Sequence, residues 1–309
     1  MSTPQPEVST HVRHHYLPEF YLRRWAGTDG RLVRFSRPDD TLVKPKRYHP
    51  KQVGYVVRLY EMDGVPEDQR QEFERTFLSP VDSRAAEALE TMERSQTAGS
   101  LNPALRSAWA HFIQSLMTRM PADIAAFKTI AREAPGAYGR QAVAEAARRH
   151  GASRAQADAV LRQMVMQGIP ELPMRIVRRL ISAERTHELL LSLKWTVRAL
   201  AGSCESLLTG ERAIRIGTPL GDFASILLPI GPRLVFGAFG SSEQMIEMAV
   251  TPDDVLARAL NLRTVSACAE QVFGDSDAHL ELVREHLGSC PQPSLFEGAR
   301  LPSRGGSRS

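Results

Sequence analysis

The sequence predicts an α+β protein with a mainly helical body, a small N-terminal hairpin and a C-terminal antiparallel sheet. Three observations carry that prediction. Apolar residues recur at helical spacing from about residue 66 to about residue 200. Period-two alternation marks RLVRFSR at 31–37 and a series of short runs beyond Lys194. Neither a strand-helix-strand alternation nor a repeat of solenoid length is visible, which argues against a doubly wound parallel sheet. At 309 residues the chain can bury a core without disulfides. Residues 11–288 read as one domain, with Ser/Pro/Gly-rich disordered tails at 1–10 and 289–309.

In chain order, Phe20, Tyr21 and Trp25 follow Pro18 at roughly helical spacing, and the turn from Gly27 to Gly30 ends that helix. RLVRFSR and TLVKPK flank the turn residues Pro38, Asp39 and Asp40 as a hairpin, and GYVVRLYEM from Gly54 is a short extended piece. EDQRQEFERTFL places Phe73, Phe77 and Leu78 on one face. After Pro80, VDSRAAEALETMERS turns Val81, Ala85, Ala88, Leu89 and Met92 inward and its acids outward. Asn102-Pro103 starts a central helix whose stripe is Leu105, Trp109, Phe112, Ile113 and Leu116. Residues 136–172 hold two Ala/Arg-rich helical stretches, read as a lobe or insertion. MRIVRRLISAERTHELLLSL is expected as one long helix with Ile176, Leu180, Ile181, Leu189 and Leu190 inward. KWTVRAL, ESLLTG, AIRIG, SILLPIG and RLVFGAF then make the antiparallel sheet. A last helix, DDVLARALNLRTVSACAEQVF, follows Thr251-Pro252 with acids in its first turn, where the helix dipole favours them.

The formal charge of +4 hides an alternation: residues 1–60 carry +6, 61–127 carry −5, 128–187 carry +6 and the remainder −3. Such blocks either face one another in the fold or present a basic surface to a polyanion, nucleic acid being the obvious one. The basic residues form no dense run and the aromatics match no RNA-binding signature. Cys204, Cys268 and Cys290 are odd in number and far apart, which fits a reducing compartment and no thiolate metal site. No signal-peptide pattern or 18-residue apolar run is seen, so the expectation is a soluble, cytoplasmic protein with no membrane contact. P-loop, dinucleotide, zincin and nucleophile-elbow motifs are absent, and no cofactor or metal is indicated.

Weaker constellations remain. His14 and His15 are adjacent, and in an extended segment they point opposite ways, so they do not share a ligand easily. One of them is a candidate base or anion contact, the alternative being a capping role. Gln114 and Arg119 are polar residues late in an apolar helix. Arg119 is suited to clamp a carboxylate or phosphate, the alternative being an internal salt bridge to an acid between residues 67 and 93. Thr209, Gly210, Glu211 and Arg212 end an apolar strand, either delivering the Glu211 carboxylate or forming a plain turn. His187, Glu188, His279 and His286 read as ordinary surface residues, and nothing beside Cys204 activates it.

The ordered set HHYLPEFYLRRWA, FERTFLSPVDSRAAEAL, HFIQSLMTRMP, KWTVRAL with SLLTGERAI and ILLPIGPRLVF, and ALNLRTVSACAEQVFG resembles the bacterial domain of unknown function 4238 family over roughly residues 12–275. The family's opening motif falls on His15, Tyr16, Pro18 and Phe20, with Glu19 in place of its usual Gln, and its Arg-x-Pro pattern on Arg119 and Pro121. Its Ser-Asp-Asn-Pro turn falls on Thr209 to Arg212, which departs from the pattern and keeps only Glu211 nearby. Its late Asn falls on Asn261. The resemblance brings no settled activity. With it, His15 as base, Arg119 as anion clamp and Asn261 as orienting donor form the expected site, Glu211 being the nearby carboxylate, and His14, Tyr16 and Gln114 are candidate ligand contacts. The function expected is engagement of a phosphate-bearing partner, nucleic acid included, as a nuclease-like hydrolase. The competing expectation is a scaffold whose basic blocks meet an acidic protein, the same polar residues forming a network that fixes the fold.

Overall fold

The computed structural model describes residues 12–38, 42–61, 71–133, 172–216 and 225–291. Its class is α+β, as the sequence predicts. At the N-terminus β1 (Arg13–His15) pairs antiparallel with β4 (Tyr55–Val57), setting His15 opposite Tyr55. Gly54 makes that corner: at φ 67° it offers its carbonyl to the amides of both Tyr16 and Leu17, and a Cβ there would lie 3.1 Å from that of Leu17. Between these strands the chain forms α1 (Glu19–Leu22), tightened into a 3₁₀ turn at Arg23–Trp25. The hairpin of β2 (Leu32–Ser36) and β3 (Lys44–Tyr48) follows, as expected.

A π-helical turn, Glu74–Leu78, runs directly into α2 (Ser79–Ser95). The two helical stretches read on either side of Pro80 are therefore continuous, because the proline's absent amide falls where the hydrogen-bond ladder changes register. Asn102 caps α3 (Pro103–Thr118) by accepting from the Leu105 amide at 2.9 Å, and α4 (Pro121–Glu133) follows after a short bend. The long helix expected from Met174 is two helices, α5 (Leu172–Ile181) and α6 (Glu184–Ser192). Ala183 is extended between them, and its carbonyl accepts from Gln114 Nε2 at 3.1 Å. The break rotates α6, so that Leu189 is 56% exposed instead of inward while Ile181 and Leu190 stay buried.

The C-terminal part contributes to two sheets. One has the order β5 (Lys194–Ala199), β9 (Leu234–Phe239), β8 (Ser225–Gly231), β7 (Arg215–Ile216), every pair antiparallel. The SLLTG run departs from expectation: its β6 (Thr209–Gly210) joins the N-terminal hairpin in a second sheet ordered β3, β2, β10 (Gln271–Gly274), β6. Gly210 allows that approach, since a Cβ there would meet Cys268 Sγ and come within 2.9 Å of the Gln271 carbonyl. Two helices unannounced by the sequence complete this part, α7 (Ser242–Val250), N-capped by Ser241, and α9 (Leu280–His286). The last expected helix is real as α8 (Asp253–Ala267) but stops early, because Cys268 is extended and Val272 and Phe273 are buried in β10.

Trp109 of α3 packs at 4.9 Å on Phe112 and edge-on against Phe236 of β9, joining helices to sheet. The short α1 region ties both large sheets together. Tyr21 Oη donates to the Pro229 carbonyl of β8 and meets Thr209 Oγ1 of β6, and Trp25 Nε1 donates to the Leu207 carbonyl. The expected lobe, apart from Leu172, and the tails, apart from 289–291, lie outside the described residues.

Candidate functional site

Strand alternation settles the histidine pair. His14 is fully buried and spends both ring nitrogens: Nδ1 accepts from the Tyr60 amide at 2.8 Å, so Nε2 carries the proton and donates to Gln71 Oε1. Gln71 in turn donates to Glu61. Burial lowers the pKa of His14, opposed by the Gln71 hydrogen bond and the Glu61 charge. With its ring stacked on Tyr60 at 5.2 Å, His14 holds that tyrosine in place and offers nothing to a ligand.

Tyr60 leads to Arg119. Its hydroxyl sits 3.5 Å from the His15 carbonyl and 3.3 Å from the Arg119 carbonyl, bringing the end of β1 to the C-terminus of α3. Arg119 is fully buried, over the face of Phe112, and its Nη1 donates to both carboxylate oxygens of Asp82 on α2 at 2.9 and 3.2 Å. The internal partner expected between residues 67 and 93 is thus Asp82. The other edge of the guanidinium, Nε and Nη2, is buried without a hydrogen-bond partner. So are Nε2 of His15 and Oε2 of Glu74. Burial lowers the His15 pKa, with the Glu19 charge opposing and Arg119 among the charges that act on it. Burial and the nearby Asp82 charge push Glu74 up to about 7, against the pull of Arg119. Burial raises Asp82 too, opposed by Arg119. The cluster reaches solvent on the α2 side, where Glu74 and Asp82 are only partly buried.

The remaining candidates make contacts of their own. Tyr16 is buried, its hydroxyl pushed far up by burial and by the Glu211 charge. Glu211 accepts from the backbone amides of Ala269 and Glu270, so its carboxylate pins the chain entering β10. Arg212 pairs with the buried Asp123 at 3.4 Å. Asn261 is fully buried, accepts from the Leu208 amide and donates to the Ser206 carbonyl, both at 2.8 Å. Gln114 holds the α5–α6 break and accepts from His187 Nδ1, and His187 stacks on His111 at 4.0 Å. His187 is therefore not the free surface residue the sequence suggests, nor is His279, which is buried against Ser206.

Ser206, His279 and Asp275 invite comparison with a hydrolase triad. Ser206 Oγ donates to Asp275 at 2.8 Å and so accepts from His279 Nε2 at 3.2 Å. The imidazole then carries its proton on the serine side and cannot act as base for that hydroxyl. Among the described residues no three His, Cys, Asp or Glu side chains gather as a metal ion would need.

Glu74 gives a pH-dependent prediction. Its folded pKa of about 7 exceeds the ordinary carboxylate value of 4.5, so the folded state holds the proton longer. The stability this confers is complete below the unfolded value and is lost as pH rises through about 7. Relative to the parent, Glu74→Gln is expected to be more stable at pH 8 than at pH 5 in urea unfolding. An identical difference at both pH values would show that Glu74 titrates normally.

A family model described as "Protein of unknown function (DUF4238)" matches residues 13–278. No curated protein and no solved structure matches the chain.

Proposed function

Because the chain belongs to the DUF4238 family, which is described only as of unknown function, we propose from its own geometry that it engages a phosphate-bearing ligand through Arg119. What supports this is the buried Nε and Nη2 edge of the guanidinium, which has no hydrogen-bond partner. That edge is the side-on fork that matches two oxygens of a phosphate or carboxylate. A buried ion pair in which two of the donors stay unmet is a poor device for stability alone, since desolvation is not repaid. The edge strand β3 adds attraction for a polyanion such as nucleic acid, with Lys44, Lys46 and Arg47 exposed along it. No helix among the described residues is long and apolar enough to cross a membrane, and a cytoplasmic setting belongs to this reading.

Calorimetric titration with inorganic phosphate tests it. The parent is expected to bind, and Arg119→Lys, which keeps the charge for Asp82 but loses the fork, is expected to bind at least ten-fold more weakly. A single-stranded oligonucleotide is expected to bind with an affinity that falls steeply between about 50 and 200 mM salt. Phosphate affinity equal in parent and variant would sink the assignment. Salt-insensitive association with an acidic protein would favour the scaffold.

A further inference from the structure

Arg119, His15 and Glu74 each leave a buried polar atom unmet, and the Arg119 charge acts on both His15 and Glu74. The Tyr60 hydroxyl bridges the backbones of His15 and Arg119. Phe73, next to Glu74, packs edge-on against the same tyrosine ring at 5.8 Å, and Asp82, two helical turns beyond Glu74, holds the guanidinium. Glu74 opens a π-helical turn, a wider, i→i+5-bonded geometry that recurs at functional sites and aims side chains off the α-helical register.

Resting on the phosphate assignment above, we propose that this site hydrolyses phosphate monoesters, with His15 as general base and Glu74 as general acid. Arg119 has no exposure, so an oxygen pair can reach it only on a group that projects inward. A terminal phosphoryl group does that, whereas a phosphodiester within a chain carries bulk on both sides. The nucleic-acid ligand consistent with this is a strand end bearing a phosphate.

In the step proposed, Arg119 Nε and Nη2 hold two non-bridging oxygens while water attacks phosphorus in line. His15 Nε2 takes the water's proton as the new P–O bond forms. The ester P–O bond breaks, its electron pair goes to the leaving oxygen, and Glu74 protonates that oxygen. The products are inorganic phosphate and an alcohol, and the imidazolium and carboxylate exchange their proton through solvent. Both groups suit these roles near neutrality, since burial favours unprotonated His15 and a Glu74 pKa of about 7 keeps a substantial share of that carboxyl protonated.

Leaving-group dependence tests the assignment. Phenyl phosphate needs an acid at its leaving oxygen far more than p-nitrophenyl phosphate, whose phenolate departs unaided. Glu74→Gln is expected to lower kcat on phenyl phosphate by about 10²-fold or more and on p-nitrophenyl phosphate by less than ten-fold. His15→Ala is expected to lose both activities and to regain part of them with added imidazole. Equal losses on the two esters in Glu74→Gln overturn the role of Glu74. Faster turnover of bis(p-nitrophenyl) phosphate than of the monoester overturns the substrate class. Phosphate binding with no turnover of any ester overturns the hydrolysis and leaves the phosphate site standing, whereas loss of phosphate binding itself fells both.

Discussion

Asp82→Ala is expected to destabilise the protein by about 3 to 5 kcal/mol, because it strands a buried guanidinium without its counter-charge. Arg119 has no solvent exposure and Asp82 is the carboxylate its Nη1 contacts. Urea unfolding measures the loss. Asp82→Asn keeps an acceptor oxygen in the same place and should cost clearly less. Pairing Asp82→Leu with Arg119→Met removes both charges from similar volumes and should come close to neutral, so the double-mutant cycle shows strong coupling. Phosphate adds a second expectation. If an anion occupies the unpartnered edge of Arg119, it supplies part of the missing charge, and saturating phosphate should restabilise Asp82→Ala more than it stabilises the parent. A loss under about 0.5 kcal/mol would place Arg119 in effective contact with water, and the site built around it would fall.

The signal for Asp82 was present in the sequence. It precedes Ala85 by three residues and Leu89 by seven, so it extends the buried stripe of α2 toward the N-terminus instead of joining the outward acids. A carboxylate on an apolar stripe and an arginine at the end of a neighbouring apolar helix are a natural pair. Glu74 gave no such sign, because a π turn shifts the register on which helical periodicity depends. Tyr60 falls within the extended piece expected from Gly54, but the strand ends at Val57 and the chain turns at Arg58, whose φ is 60°.

The same physics explains which parts of the fold were legible. Hairpin β2–β3 and helix α3 follow from local rules, alternation in one and a cap with a broad apolar stripe in the other. The placement of β6 beside β10 depends on partners more than sixty residues apart, and a two-residue strand carries no alternation of its own. The break between α5 and α6 is likewise tertiary: Gln114 takes the Ala183 carbonyl from another helix. Gln114, Glu211 and Asn261 stand out in the sequence as polar residues in apolar surroundings. The structure shows why they sit there, since each satisfies backbone groups that the fold buries. His15 and Arg119 differ because some of their buried polar atoms have no partner.

Asn261 makes that distinction measurable. Its amide supplies the acceptor for the Leu208 N–H and the donor for the Ser206 carbonyl, both on the segment leading into β6 and both buried with it. Asn261→Ala leaves two backbone groups unmet at about 1 to 3 kcal/mol each, so a loss of about 2 to 5 kcal/mol is expected. Asn261→Asp preserves the acceptor but loses the donor and buries a charge, and should be no better. A residue that orients a ligand would behave differently, weakening phosphate binding in a protein of unchanged stability. For Asn261 the expectation is the reverse: at a temperature well below its lowered Tm, Asn261→Ala should bind phosphate as the parent does. Weakened binding without a change in Tm would move Asn261 from the scaffold of the sheet into the site.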